Sequence, residues 1–140
     1  MALVADSGAI YGVYDRHDRH HQRIRAAMER EKGAVLVPTA ILAEVDYLLR
    51  ARLGIHAELN FLDDVLLGAF TLEQLVVEDV ERSKQLIETY ADLDLGLADA
   101  ADISTAERLG ISRILTVDER HFRTVRSAKG KPFVLLPADS

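Results

Sequence analysis

The chain contains no cysteine. That absence removes disulfides, thiolate zinc sites and cysteine nucleophiles from consideration, and it suits a reducing cytoplasm. Proline is scarce, and Pro38, Pro132 and Pro137 all flank short apolar runs, where they bound strands. No apolar run approaches the roughly 20 residues a membrane helix needs. The opening "MALVADSGAIY" also lacks the basic region and cleavage site of a signal peptide. Repeats, low-complexity segments and long polar tracts are missing too, which excludes solenoid and disordered classes. Basic charge is in the minority: 17 Lys and Arg face 23 Asp and Glu, for a net charge of −6. This argues against sequence-independent wrapping of nucleic acid by a basic surface. A metal-dependent nuclease remains open, because metal-binding carboxylates count as negative while a phosphate meets the local field of the ion.

What is present is an ordinary globular balance, 49% hydrophobic and 29% charged in 140 residues, long enough to bury a core and expected to form one domain over 1–140. Residues 2–5 read as a strand, 7–14 as a short helix or turn, 16–32 as a polar helix stopped by Gly33, and "AVLVP" as a second strand. "TAILAEVDYLLRARLG" has a core-facing helical period, with Thr39 able to cap it and Gly54 ending it. "HAELNFLDDVLLG" reads as its helical partner and "FTLEQL" as an edge strand. Helices over "VEDVERSKQLIETYADL" and "LADAADISTAERLG" follow, then the strand "RILTVD" and a last strand in "PFVLLP". Strands separated by helices predict a three-layer α/β/α fold with a mainly parallel sheet, whose ligand site lies beyond the carboxyl ends of the strands.

Two of these strands run into an aspartate. "LVAD" ends in Asp6 and "ILTVD" in Asp118, and parallel strands would carry both to one rim. Capping of the following helix or turn is the alternative reading of each. Asp99 and Asp102, three apart, share a helix face among alanines and could hold a metal or its waters, or form an N-terminal cap. Glu44 and Asp46 border opposite sides of one apolar stripe, and periodicity does not choose between them. Carboxylates gathered within a few ångström repel unless a cation neutralises them. A hard ion with oxygen ligands, Mg²⁺ or Mn²⁺, suits that set better than zinc. His17, His20 and His21 do not share one helix face and read as solvated side chains.

The ordered blocks "LVADSGAIY", "VPTAILAEVDYLL", "DLGLADAADISTAERLGISRILTVDERHF" and "FVLLP" resemble, over essentially the whole chain, PIN-domain ribonucleases, in particular VapC toxins of bacterial toxin–antitoxin pairs. The resemblance implies a PIN-like fold and four catalytic, metal-holding acids at Asp6, Glu44, Asp99 and Asp118, so it chooses Glu44 over Asp46. Asp102 matches a position acidic in some members and is expected as a supplementary ligand, with Ser7 and Thr116 as supporting hydroxyls. It further implies Mg²⁺ or Mn²⁺, water attack on an RNA phosphodiester and consequent inhibition of translation or growth. Arg120, His121 and Arg123 are the candidate substrate contacts in the last loop. The implied partners are a VapB-like antitoxin, whose basic side chain would enter the acidic pocket, and a second copy in a homodimer, with DNA reached only through the antitoxin. The chain departs from the family at Gly8, often a small polar residue there, and at Glu119, Arg120 and His121, often a basic-acidic pair.

Two rival readings differ in class. Phosphoryl transfer through an aspartyl nucleophile at Asp6 would want a second aspartate where Gly8 stands, or an acidic pair at the first strand's end. A catalytically silent PIN-like module that binds RNA or protein is the other, and the four intact acids speak against it.

Overall fold

Residues on four of the five strands alternate between two buried environments, as a sheet covered by helices on both faces requires, while the edge strand Thr71–Glu73 is largely exposed. In the computed structural model, which describes residues 1–140, the strands are β1 (Leu3–Ala5), β2 (Val35–Pro38), β3 (Thr71–Glu73), β4 (Arg113–Leu115) and β5 (Val134–Leu136). They form one five-stranded sheet in the order β3-β2-β1-β4-β5, with every pairing parallel. Leu3, Ala5, Val35, Val37, Leu115 and Leu136 point into one core, while Val4, Leu36, Ile114 and Leu135 point into the other. Seven helices supply the outer layers: α1 (Ser7–Tyr14), α2 (His21–Glu31), α3 (Leu42–Leu53), α4 (Ile55–Leu66), α5 (Val77–Thr89), α6 (Leu97–Leu109) and α7 (Glu119–Thr124). Ile10, Ile24, Val45, Leu49 and Phe61 of α1–α4 fill the first core, and Leu86, Ile103, Ala106 and Phe122 of α5–α7 fill the second.

This is the α/β/α fold expected, with a sheet that is parallel throughout. The chain moves outward from β1 through β2 to β3, then returns to place β4 on the other side of β1. That reversal opens a crevice between the carboxyl ends of β1 and β4. Helix α6 closes it from one side, with Ala100–Ala106 buried without a break. Its small residues let α5 and the sheet approach closely.

Local polar chemistry moved several boundaries. The helix expected over 16–32 begins at His21, because Asp15 and Asp18 accept from the backbone N–H groups of His17 and His20 (3.0 and 2.7 Å) and form turns instead. Thr39 does not cap α3: its hydroxyl accepts from Leu75 N–H (3.1 Å), and a 3₁₀ turn over Thr39–Ile41 leads into the helix. Helix α5 stops at Thr89, and a 3₁₀ turn over Ala91–Leu93 takes up the rest of the segment read as helical. After β4 the chain turns at Thr116, and α7, read as loop in the sequence, starts directly after Asp118.

Gly54 joins α3 to α4 at φ +99° and ψ 177°, while its N–H caps the carbonyls of Leu49 and Arg50. Only glycine adopts that backbone without strain. Gly54→Ala should lower stability by about 1–3 kcal/mol, read as a shifted urea midpoint at unchanged slope.

Candidate functional site

Asp6 is both a cap and a buried member of an acidic cluster. Its N–H donates to Leu115 of β4 (3.0 Å), which draws the ends of β1 and β4 together. One carboxylate oxygen accepts from Ala9 N–H (2.8 Å) at the start of α1, and the other accepts from the Thr116 hydroxyl. Asp118 caps α7 in the same way, accepting from His121 N–H (3.3 Å), and its own N–H donates to Thr116 Oγ1 (2.9 Å). Thr116 therefore ties the two strand-end aspartates into one turn. Capping and clustering, alternatives on sequence alone, coexist.

The other acids arrive from α3 and α6. Asp99 is the third residue of α6, whose N-cap is Gly96, so it is not the cap. Asp102, one turn on, is 1% exposed, and neither of its carboxylate oxygens has a hydrogen-bond partner. Glu44 lies in the first turn of α3 and accepts from the Ser7 hydroxyl. Asp46 faces α4 instead, where its carboxyl beside Glu58 holds the Glu58 carboxyl above the usual range.

Mutual repulsion shows which carboxylates are neighbours. Burial pushes the Asp6 carboxyl up to about 7, helped by the charges of Asp99 and Asp118 and opposed by the Thr116 and Ala9 hydrogen bonds. Burial raises Asp102 well above the ordinary carboxylate range, with added repulsion from Asp6, Asp99 and Glu44. Asp99 is raised by burial, and Asp118 and Glu44 add to this while His121 opposes it. Asp6, Asp99 and Asp102 thus lie within the influence of neighbouring carboxylates, and the donor atoms of Asp99, Asp118 and His121 all come within 4.8 Å of one another.

His121 was expected among the substrate contacts of a loop; it stands instead on the first turn of α7, turned inward. Its Nδ1 is 2.9 Å from Asp118 Oδ2 and 3.1 Å from Asp99 Oδ2, and its Nε2 lies 2.9 Å from the Leu93 carbonyl. Asp-x-x-His at a capped helix start was the available signal, since residues three apart share a face. Arg123 is held by two 2.9 Å contacts to Asp139 and one of 2.8 Å to Glu119, so its charge is already matched. Arg120 is exposed and outside the ion pairs around it. Of the histidine cluster, His21 Nδ1 meets the Gly12 carbonyl (2.8 Å), while His20 and Arg23 line a shallow cleft with Thr116 and Glu119.

The donor set fits a hard divalent cation. Its donors are mainly carboxylate oxygens, they repel one another, and the two oxygens of Asp102 are buried without any positive partner. Larger clefts lie elsewhere, among them one of about 460 Å³ between the α1–α2 turn and α4, one of about 260 Å³ beside Arg82 and Arg108 and one of about 250 Å³ beside Ser112 and Phe133. The acids line an open rim.

An acid-rimmed parallel α/β domain with this strand order is one class of protein, and the comparisons give that class its family. The chain belongs to the PIN-domain family, whose model matches residues 3–127. It is 30% identical over 135 residues to Ribonuclease VapC26 of Mycobacterium tuberculosis, covering 96% of this chain and 100% of that protein. Among solved structures, VapC20 of M. tuberculosis, a sarcin-ricin loop cleaving toxin, superposes with a TM-score of 0.71 at 17% identity, over 80% of this chain and 86% of that one. A DNA-bound VapBC from Salmonella typhimurium gives 0.71 at 14% identity, over 96% and 98%. At these identities the two structures speak for the fold.

The raised carboxyls set a pH dependence. A carboxyl that titrates higher in the folded chain than in the unfolded one favours folding below the ordinary carboxylate range, and that contribution is lost as pH rises through the folded value, about 7 for Asp6. Asp102→Asn removes one such group. In metal-free protein it should raise Tm relative to wild type at about pH 8, with a smaller difference at about pH 5, followed by calorimetric melting.

Proposed function

We propose that the protein is a divalent-metal-dependent endoribonuclease, the toxin of a type II toxin–antitoxin pair, acting in the cytoplasm on RNA and so inhibiting translation or growth. The observation that carries this reading is the group of five carboxylates on the rim between β1 and β4, including a buried Asp102 with no partner. Membership of the PIN-domain family and the likeness to a VapC ribonuclease support it.

Asp6, Asp99 and Asp118 are the metal-holding acids in this reading, with Glu44 beside them and Asp102 as a supplementary donor from below. A divalent ion bound there supplies an activated water at neutral pH and positive charge for the developing oxyanion of the phosphodiester. Thr116 keeps Asp6 and the Asp118 turn in register, so it acts through them. Glu44, exposed and bonded to the Ser7 hydroxyl, is the candidate acceptor of a proton from the attacking water in this reading. Arg120, with its charge unmatched, is the better phosphate contact in the last segment than Arg123, which Asp139 and Glu119 already engage. An open rim admits a polymer passing across it, which suits internal cleavage of a single strand.

The partners follow the same reading. Leu59, Leu66 and Leu67 of α4 and its end are 48%, 83% and 83% exposed, and Tyr47 of α3 is 70% exposed. These apolar side chains would be covered by a second copy in a homodimer or by a VapB-like antitoxin, which would also link the protein to DNA. A basic antitoxin side chain would meet complementary charge at the acidic rim. No helix is long and apolar enough to cross a membrane.

Removing even an outer hydrogen-bond partner of a metal ligand typically costs 10–100-fold, so loss of a ligand should cost at least about 100-fold. Asp6→Asn and Asp99→Asn should each reduce Mg²⁺- or Mn²⁺-dependent cleavage of RNA by that much, and Thr116→Val by about 10–100-fold. Undiminished cleavage by Asp99→Asn, in a gel assay with antitoxin removed, would overturn the assignment.

A further inference from the structure

We propose that His121 is itself a ligand of the metal centre, through Nδ1, and that this nitrogen makes the centre select Mn²⁺ over Mg²⁺. The inference rests on the metal-dependent reading above and deepens it.

The tautomer comes first. Nε2 lies 2.9 Å from the Leu93 carbonyl, which can only accept, so Nε2 carries the proton. In the neutral ring the lone pair is then on Nδ1, the atom that points at Asp99 and Asp118. Two carboxylates this close to Nδ1 call for a positive charge there, a proton on the ring in the metal-free chain or a bound ion that takes the proton's place, since metal binding releases protons from its ligands. Metal-bound histidines commonly have this arrangement, with the remote N–H held by a carbonyl and the near nitrogen free to bind.

Distances agree. Adjacent ligands about 2.1 Å from an octahedral ion are about 3.0 Å apart, and opposite ones about 4.2 Å. His121 Nδ1 stands 2.9 and 3.1 Å from the two carboxylates, and the three donor atoms all lie within 4.8 Å of one another. The position is built rather than incidental. Asp118 caps α7 through His121 N–H, and Asp102, 1% exposed with both oxygens unpartnered, supplies further negative charge from the buried side. Mg²⁺ demands hard oxygen ligands and gives up water reluctantly, whereas first-row transition ions accept imidazole. One nitrogen among carboxylates therefore tilts the set toward Mn²⁺.

The test is titration of Mn²⁺ and Mg²⁺ into the full chain by calorimetry, for wild type, His121→Gln and Asp99→Asn, with pulsed EPR of the Mn²⁺-loaded wild type. Gln retains a donor within reach of Leu93 and removes the nitrogen at Nδ1. The expected result is nitrogen hyperfine coupling to Mn²⁺ in wild type and at least about tenfold weaker Mn²⁺ binding in His121→Gln, with Mg²⁺ changed less than about twofold. Absence of nitrogen coupling in wild type overturns the proposal without reliance on any variant. So does an equal loss, or no loss, for the two ions in His121→Gln. If Asp99→Asn binds both ions as wild type does, the acidic metal site itself has failed; if it loses both while His121→Gln keeps its selectivity, only the nitrogen ligand has.

Discussion

The mutual repulsion of carboxylates brought to one sheet edge is the constraint on which the rest of this structure turns. Burial, with the neighbouring charges adding to it, raises Asp6 to about 7 against the Thr116 and Ala9 hydrogen bonds, and raises Asp102 well above the usual range. Such a group is tolerable only where the surrounding framework is stiff and where cationic or hydrogen-bonding partners offset part of the cost. Two apolar cores on opposite faces of an all-parallel sheet provide the stiffness. Thr116, the Ala9 N–H and the His121 ring provide the partners inside the protein. A divalent ion is the partner the donor set still lacks.

The same constraint explains the placement of polar side chains that would otherwise look unrelated. Ser7, one residue after Asp6, does not cap α1; it donates to Glu44 of α3, so the chain leaving β1 orients two acids from one turn. Thr116 donates to one aspartate and accepts from the backbone of the other, which joins residues 110 positions apart. Helix α6 is lined with alanine where it meets the sheet, and this small surface lets Asp102 sit deep enough to reach the acids above it. Among charges outside the group, Asp79 is matched by Arg108 and Asp139 by Arg123.

Much of this was legible in the chain. The short apolar runs at Leu3–Ala5, Val35–Pro38 and Arg113–Leu115, the glycine stops at Gly54 and Gly110 and the aspartates at two strand ends suffice for a parallel α/β sheet with acids at one rim. Helix α2 is shorter than its sequence period implies because Asp15 and Asp18 form turns with backbone N–H groups, a contest between side chain and helix that hydrophobic period does not register. Helix α7 is not legible in the sequence, because six residues are too few to show a period. The choice of Glu44 over Asp46 was beyond periodicity as well: both border the apolar stripe, and only the packing of α1 and α4 on opposite sides of α3 sends one to Ser7 and the other to Glu58.

By itself, then, the sequence determined the order of elements, the two-sided burial of the strands and the carriage of Asp6 and Asp118 to the same edge, because these follow from local period and from the direction of parallel strands. The tertiary structure decided how deep each acid lies and what faces it. Asp102 became buried and unpartnered, Arg123 became engaged by Asp139, and His121 turned from a loop residue into the neighbour of Asp99 and Asp118. Desolvation and charge–charge energy depend on distances between segments far apart in the chain, and no local pattern of residues encodes those distances.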